Sequence, residues 1–161
     1  MVSRLMYVSF SYSKSKTKIY SIVSVLNNEN KNLTSLHNIR DEIGNLPWLD
    51  TNIREETRIL NRLRSGHAGL NNYLYKTNQT NSPNCLNCQV IEDREHYLLH
   101  CKRYTNQRNS LKVKLKNIGI KENQINQKTL LGGGNYESHI QNKIIKYILK
   151  FVKETGRADD L

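Results

Sequence analysis

The sequence predicts a mainly α-helical fold, a small helical domain pinned by a Cys-Cys-His-Cys knuckle, with a short N-terminal strand as an option. Three observations carry this. Apolar residues recur at three- and four-residue spacing in several separate segments, the period of a helix with one buried face. Gly44, Gly66, Gly119 and the run Gly132-Gly-Gly134 punctuate those segments. Cys85, Cys88, His96 and Cys101 fall mid-chain, where a cross-link would reinforce a core of modest size.

Residues 1–45 read as a basic flank of unassigned role. Within it, Lys18 to Leu26 is rich in β-branched residues and is the candidate strand. Leu33, Leu36, Ile39 and Ile43 make a short amphipathic helix that ends at Gly44, before a turn around Pro47 and an anchoring Trp48. The helical domain is expected over 46–157, as four to six helices on roughly 100 residues. Asn52 with Glu55 forms a capping-box arrangement, predicting a helix that runs to about Arg64, stops at Gly66 and buries Ile53, Ile59, Leu60 and Leu63. Leu70, Tyr73 and Leu74 predict a short helix closed by the polar run Thr77 to Ser82, and His67 just before it is expected to cap or hydrogen-bond. Tyr104, Arg108, Leu111, Leu115 and Ile118 follow helical spacing up to Gly119. The last helix, from about Tyr136 to Thr155, should bury Ile140, Ile144, Ile148 and Phe151 or Val152, with Lys143, Lys146, Lys150 and Lys153 on its other side. Residues 158–161 are expected to fray.

The chain has 161 residues, 37% of them apolar, and a net charge of +11 from 25 Lys and Arg against 14 Asp and Glu. Such a surface attracts polyanions, and nucleic acid leads the candidates. The plainer reading is an Asn- and Lys-rich composition that serves only solubility. The opening MVSRLMYVSFSY is too short and too polar for a signal peptide or a membrane span. An intracellular protein, nuclear or cytoplasmic, is therefore expected, with no membrane partner and no small-molecule substrate.

The motif Cys85-x2-Cys88-x7-His96-x4-Cys101 has the spacing of a zinc site: one close pair in a turn entered by Ser82-Pro83, the other on or beside a short helix. Four protein ligands leave no position for water, so one structural Zn2+ is expected rather than a hydrolytic one. His100 competes with Cys101 as the fourth ligand. His96 and His100 share a helix face, whereas His96 and Cys101 diverge by about 140° on an ideal helix. The alternative without metal is three reduced cysteines in a core beside two incidental histidines.

Three segments together resemble the C-terminal region of non-LTR (LINE-type) retrotransposon polyproteins: Leu60-Asn-Arg-Leu-Arg-Ser-Gly-His-Ala-Gly-Leu70, the knuckle with Glu95-His-Tyr-Leu-Leu-His-Cys101, and Phe151-Val-Lys-Glu-Thr-Gly-Arg157. That family carries an Arg-Leu-Arg-x-Gly-His stretch, a Cys-Cys-His-Cys knuckle and a final helix ending in Thr-Gly-Arg, in this order. The likeness spans about 46–157. The chain lacks a Tyr-x-Asp-Asp polymerase signature and a carboxylate cluster for RNase H metals. The resemblance thus implies a tail without its catalytic partners, acting on RNA or DNA.

The expected function is a non-catalytic module for RNA or single-stranded DNA. Phosphates would meet the stripes Arg54, Arg58, Arg62 and Arg108, Lys112, Lys116, with Arg64, Lys102 and Arg103 near the knuckle and Tyr97 or Tyr104 as stacking partners. Each stripe also reads as the solvated face of an amphipathic helix, and each tyrosine as core. The rival function is a zinc-stabilised interaction module that docks on a reverse transcriptase domain or another protein. No nucleophile with its base and no phosphate-binding glycine loop is visible, so no enzyme is expected.

Overall fold

Residues 53–161 are described in the computed structural model, and the expected strand at 18–26, the helix at 33–43, the turn at Pro47, Trp48 and the Asn52 cap lie outside them. The first described helix, α1 (Arg54–Ser65), starts from Ile53 in an extended conformation, with no side-chain cap bond and with Glu55 and Glu56 in its first turn. Acidic residues there complement the helix dipole, so Glu55 and Glu56 favour the helix start by charge. Ile53, expected in the core, is 52% exposed because it precedes the helix, while Ile59, Leu60 and Leu63 are fully buried. The helix stops where predicted, at Gly66, whose φ of 80° is the left-handed value that glycine adopts without steric cost.

The short helix α2 (Asn71–Lys76) follows, and the knuckle segment ends in a π-helical turn (His96–His100) and a 3₁₀ turn (Lys102–Tyr104). Next comes α3 (Thr105–Asn117), which buries Leu111 and Leu115 and gives way to Gly119 at φ 88°. Beyond a second 3₁₀ turn (Glu122–Gln124) lies α4 (Gln127–Leu130), an element the sequence pattern does not announce. Asn126 caps it by accepting the Thr129 N–H at 2.9 Å, and its end brings Leu130 and Leu131 into the core. The last helix, α5 (Ser138–Glu154), packs against α1, α3 and α4. Ile144, Ile145, Ile148, Leu149, Phe151 and Val152 are its buried face, while Lys143, Lys146, Lys150 and Lys153 are exposed as its periodicity predicts. Each large apolar side chain buried along it contributes about 1.5–3 kcal/mol. Among the described residues there is no strand, only one antiparallel bridge between Asn84 and Ile91.

The expected fraying at 158–161 is overturned. Leu161 is fully buried, the Ala158 carbonyl accepts from Arg58 at 3.4 Å and that of Leu161 accepts from Arg62 at 3.1 Å. The α1 arginines thereby hold the segment after α5 against the domain. Its close approach also explains Gly69, where any Cβ would collide with the Asp160 carbonyl oxygen.

Candidate metal centre

Pro83 opens a tight hairpin. The Glu92 N–H donates to the Pro83 carbonyl at 2.9 Å, the Cys85 N–H to Val90 at 2.8 Å, and the Gln89 N–H to Cys85 at 2.9 Å. Gln89 closes the turn in a left-handed conformation at φ 57°, a value uncommon outside glycine. This hairpin presents Cys85 and Cys88 toward one point. The other two groups come from the π-helical turn, entered by Asp93, whose carboxylate accepts the His96 N–H at 2.8 Å.

The π turn brings Cys101, and not His100, into the cluster. An α-helix would splay positions five apart, but here the Cys101 N–H donates to the His96 carbonyl at 2.7 Å, an i to i+5 bond that sets Cys101 over His96. His100 points away, with its side chain 63% exposed and 3.7 Å from the Glu95 carboxylate. The candidate ligand atoms of Cys85, Cys88, His96 and Cys101 all lie within 4.8 Å of one another. The Cys101 sulfur is 3.8 Å from that of Cys85 and 3.9 Å from that of Cys88, far outside the disulfide length of about 2.05 Å.

The surroundings favour a cation among these atoms. His96 Nε2 is buried without a hydrogen-bond partner, which in a folded core is costly unless a ligand takes it. Burial also holds its imidazole below the ordinary value, the neutral form a metal requires. The Lys102 backbone N–H donates to Cys88 Sγ at 3.3 Å and holds that thiol below its usual range, helped by Asn87 at 3.6 Å. Burial pushes Cys101 up to about 12, so it stays a thiol at neutral pH unless a cation sits beside it. Three sulfurs and an imidazole nitrogen are a soft donor set of the kind that holds a closed, four-coordinate ion.

Freeing the π turn from α-helical bonding leaves carbonyls to satisfy, and Arg108 satisfies them. Its guanidinium donates to Cys101 at 2.8 Å, Leu98 at 3.0 Å and Tyr97 at 3.4 Å. Expected to face phosphate, Arg108 is instead only 7% exposed, so the stripe Arg108, Lys112, Lys116 loses its first member to the fold. Replacing Arg108 with alanine should destabilise the domain by about 2 kcal/mol through unsatisfied carbonyls. A thermal melt of the variant beside the native chain checks this.

Arg64 is likewise a structural residue, 4% exposed, with its Nε donating to the Leu131 carbonyl at 2.9 Å. Arg54, Arg58 and Arg62 are exposed along α1, although Arg58 and Arg62 also bond the carbonyls near the C-terminal end described above. Lys102, Arg103 and Lys116 are exposed, and Lys112 is half-buried and paired with Glu122 at 2.9 Å. Neither tyrosine is available for stacking. Tyr97 is fully buried, its hydroxyl 2.7 Å from that of Thr155, and Tyr104 is 3% exposed, packed edge-on against Tyr97. His67 is exposed and meets Tyr73 edge to face at 5.3 Å between ring centres.

Two residues that the sequence pattern does not single out organise the knuckle. Glu92, 5% exposed, accepts the Asn71 N–H at 3.0 Å and pairs with Arg157 at 3.1 Å, and Arg157 also donates to the Gly69 carbonyl at 3.0 Å. Arg94 closes the end of α1, donating to the carbonyls of Leu63 and Arg64, both at 2.8 Å. The acid-base pattern Glu92 to Glu95 in a loop was the only available signal, and charge alone does not say which members turn inward. The segments 60–70, 85–101 and 151–157 thus meet at one place, three segments joined through Gly69, Glu92, Tyr97, Thr155 and Arg157. No family model, curated protein or solved structure matches the chain.

Proposed function

We propose that the chain is a non-catalytic module that holds one Zn2+ through Cys85, Cys88, His96 and Cys101 and binds RNA or single-stranded DNA on the basic surface beside it. Zinc bonded to thiolates at about 2.3 Å in a tetrahedron separates its sulfurs by about 3.8 Å. The sulfur separations of 3.8 and 3.9 Å fit that edge. With four protein ligands the ion has no position for substrate or water, so its contribution is to the fold. The order of the three segments makes this chain similar to the tail of a non-LTR retrotransposon polyprotein, whose template and target are nucleic acids.

The observation that carries the reading is the position of Lys102 and Arg103. Both are exposed, and both follow directly on the ligand Cys101. The Lys102 backbone is itself tied to Cys88 Sγ at 3.3 Å, so the metal fixes where these two cations stand. Arg54, Arg58 and Arg62 add an exposed basic stripe on α1. Binding should therefore depend on both salt and zinc. Titrating labelled single-stranded RNA and DNA across a salt series should give a steep loss of affinity with rising salt. Replacing Lys102 and Arg103 together with alanine should make the log–log slope shallower by about 1.4, the loss of two phosphate contacts. An unchanged slope, or no binding at low salt, would sink the proposal.

A further inference from the structure

We propose that a basin between the C-terminal end of α3 and the turn Glu122–Gln124 is a docking site for a short acidic, apolar peptide segment of a partner protein. This site is separate from the knuckle and does not rest on the nucleic-acid reading. The cavity measures about 450 Å³, within the size range of ligand pockets, and its floor is Val113, Ile120 and Ile125. Val113 is the odd residue of α3. Leu111 and Leu115 are buried on either side of it, yet it stands 58% exposed at a position where a polar residue would cost the fold nothing. Gly119, at φ 88° with open space where a Cβ would sit, leaves the basin unobstructed on that side.

The rim is basic, formed by Lys112, Lys116 and Lys121, with Glu122 as its single acid among the described residues. Lys112 already binds a carboxylate, that of Glu122 at 2.9 Å, and its hydrogen bond holds Glu122 below the usual carboxylate range. Lys116 and Lys121 hold no hydrogen-bonded carboxylate among the described residues and are free to take one from a partner. Apolar floor and basic rim together fit a segment that places bulky aliphatic side chains into the basin with Asp or Glu beside them. Among the described residues the lining holds no aromatic side chain or arginine to stack on a base, which favours peptide over nucleotide.

The test is selection of a phage-displayed random peptide library on the zinc-loaded full chain, with the Val113→Asp and Lys116→Glu variants as counter-targets. Both positions are exposed enough for the variants to fold. Peptides joining two bulky apolar residues to Asp or Glu should be enriched on the native chain. They should bind each variant at least about tenfold more weakly and shift the amide resonances of Val113, Ile120 and Ile125. No enrichment, enrichment of acidic peptides without apolar residues, or binding indifferent to both variants would overturn the proposal. So would single-stranded RNA shifting those same resonances as the peptides do, since the basin would then belong to nucleic acid.

Discussion

Cys88→Ser is expected to release the metal and loosen residues 83–111, while the packing of α5 on α1 and α4 stays folded. The hairpin that carries Cys85 and Cys88 has one bridge, a few backbone bonds and a strained Gln89, and its apolar residues Leu86, Val90 and Ile91 are exposed. Its base is tied to the domain by Asn71, which donates to the Asn84 carbonyl at 2.7 Å, and by the Glu92–Arg157 pair, whereas the tip that carries Cys88 has, apart from the Lys102 N–H on its sulfur, no such anchor among the described residues. Structural zinc sites contribute about 10–16 kcal/mol at neutral pH, far above what these contacts supply. Cys88 suits the test better than Cys101 because it is only half-buried, so the change removes a ligand without cutting a cavity in the core. Serine also keeps an acceptor for the Lys102 N–H. Hydrogen exchange in 83–111 should rise strongly, in step with the loss of bound metal measured by metal analysis. Acidification should act in the same direction, since the ligands must be deprotonated to bind and protons therefore compete with the metal. Exchange that stays at the native level in the variant would mean that packing alone secures the knuckle.

The helices of this domain are legible in sequence because their periodicity is local. The apolar faces of α1, α3 and α5, and the glycine stops at Gly66 and Gly119, follow from residues within four positions of one another. The four candidate ligands are legible for a different reason, since metal chemistry restricts residue type and loop length more tightly than packing does. What stayed hidden depends on partners distant in sequence or on local backbone that departs from the common forms. Spacing made His100 a rival to Cys101 only because an α-helix was assumed, and the i to i+5 bond from Cys101 to His96 removed the conflict. The stripe Arg108, Lys112, Lys116 looked uniform, yet the first member turns inward because the π turn leaves carbonyls that only a long donor-rich side chain can reach. The tail looked frayed because nothing nearby in sequence could bind it, whereas its partners lie on α1, about one hundred residues earlier.

Removing Arg157 is the second large effect, and it tests whether the buried Glu92–Arg157 pair links the three segments that meet there. Arg157 and Glu92 are 15% and 6% exposed, and the pair joins the loop before α2, the knuckle hairpin and the end of α5. Arg157→Met leaves the Glu92 carboxylate buried without its cation, and truncating one partner of such a pair costs about 3–5 kcal/mol. For a domain of this size that corresponds to a fall in thermal midpoint of roughly 15 °C or more. Glu92→Gln should cost less alone, because Gln can still accept the Asn71 N–H and carries no charge. Combining Glu92→Gln with Arg157→Met should recover a large part of the loss, since neither charge is then stranded. A double-mutant cycle on the zinc-loaded chain, read by thermal unfolding, measures this coupling directly. If the two changes simply add, the pair is not the link between the three segments.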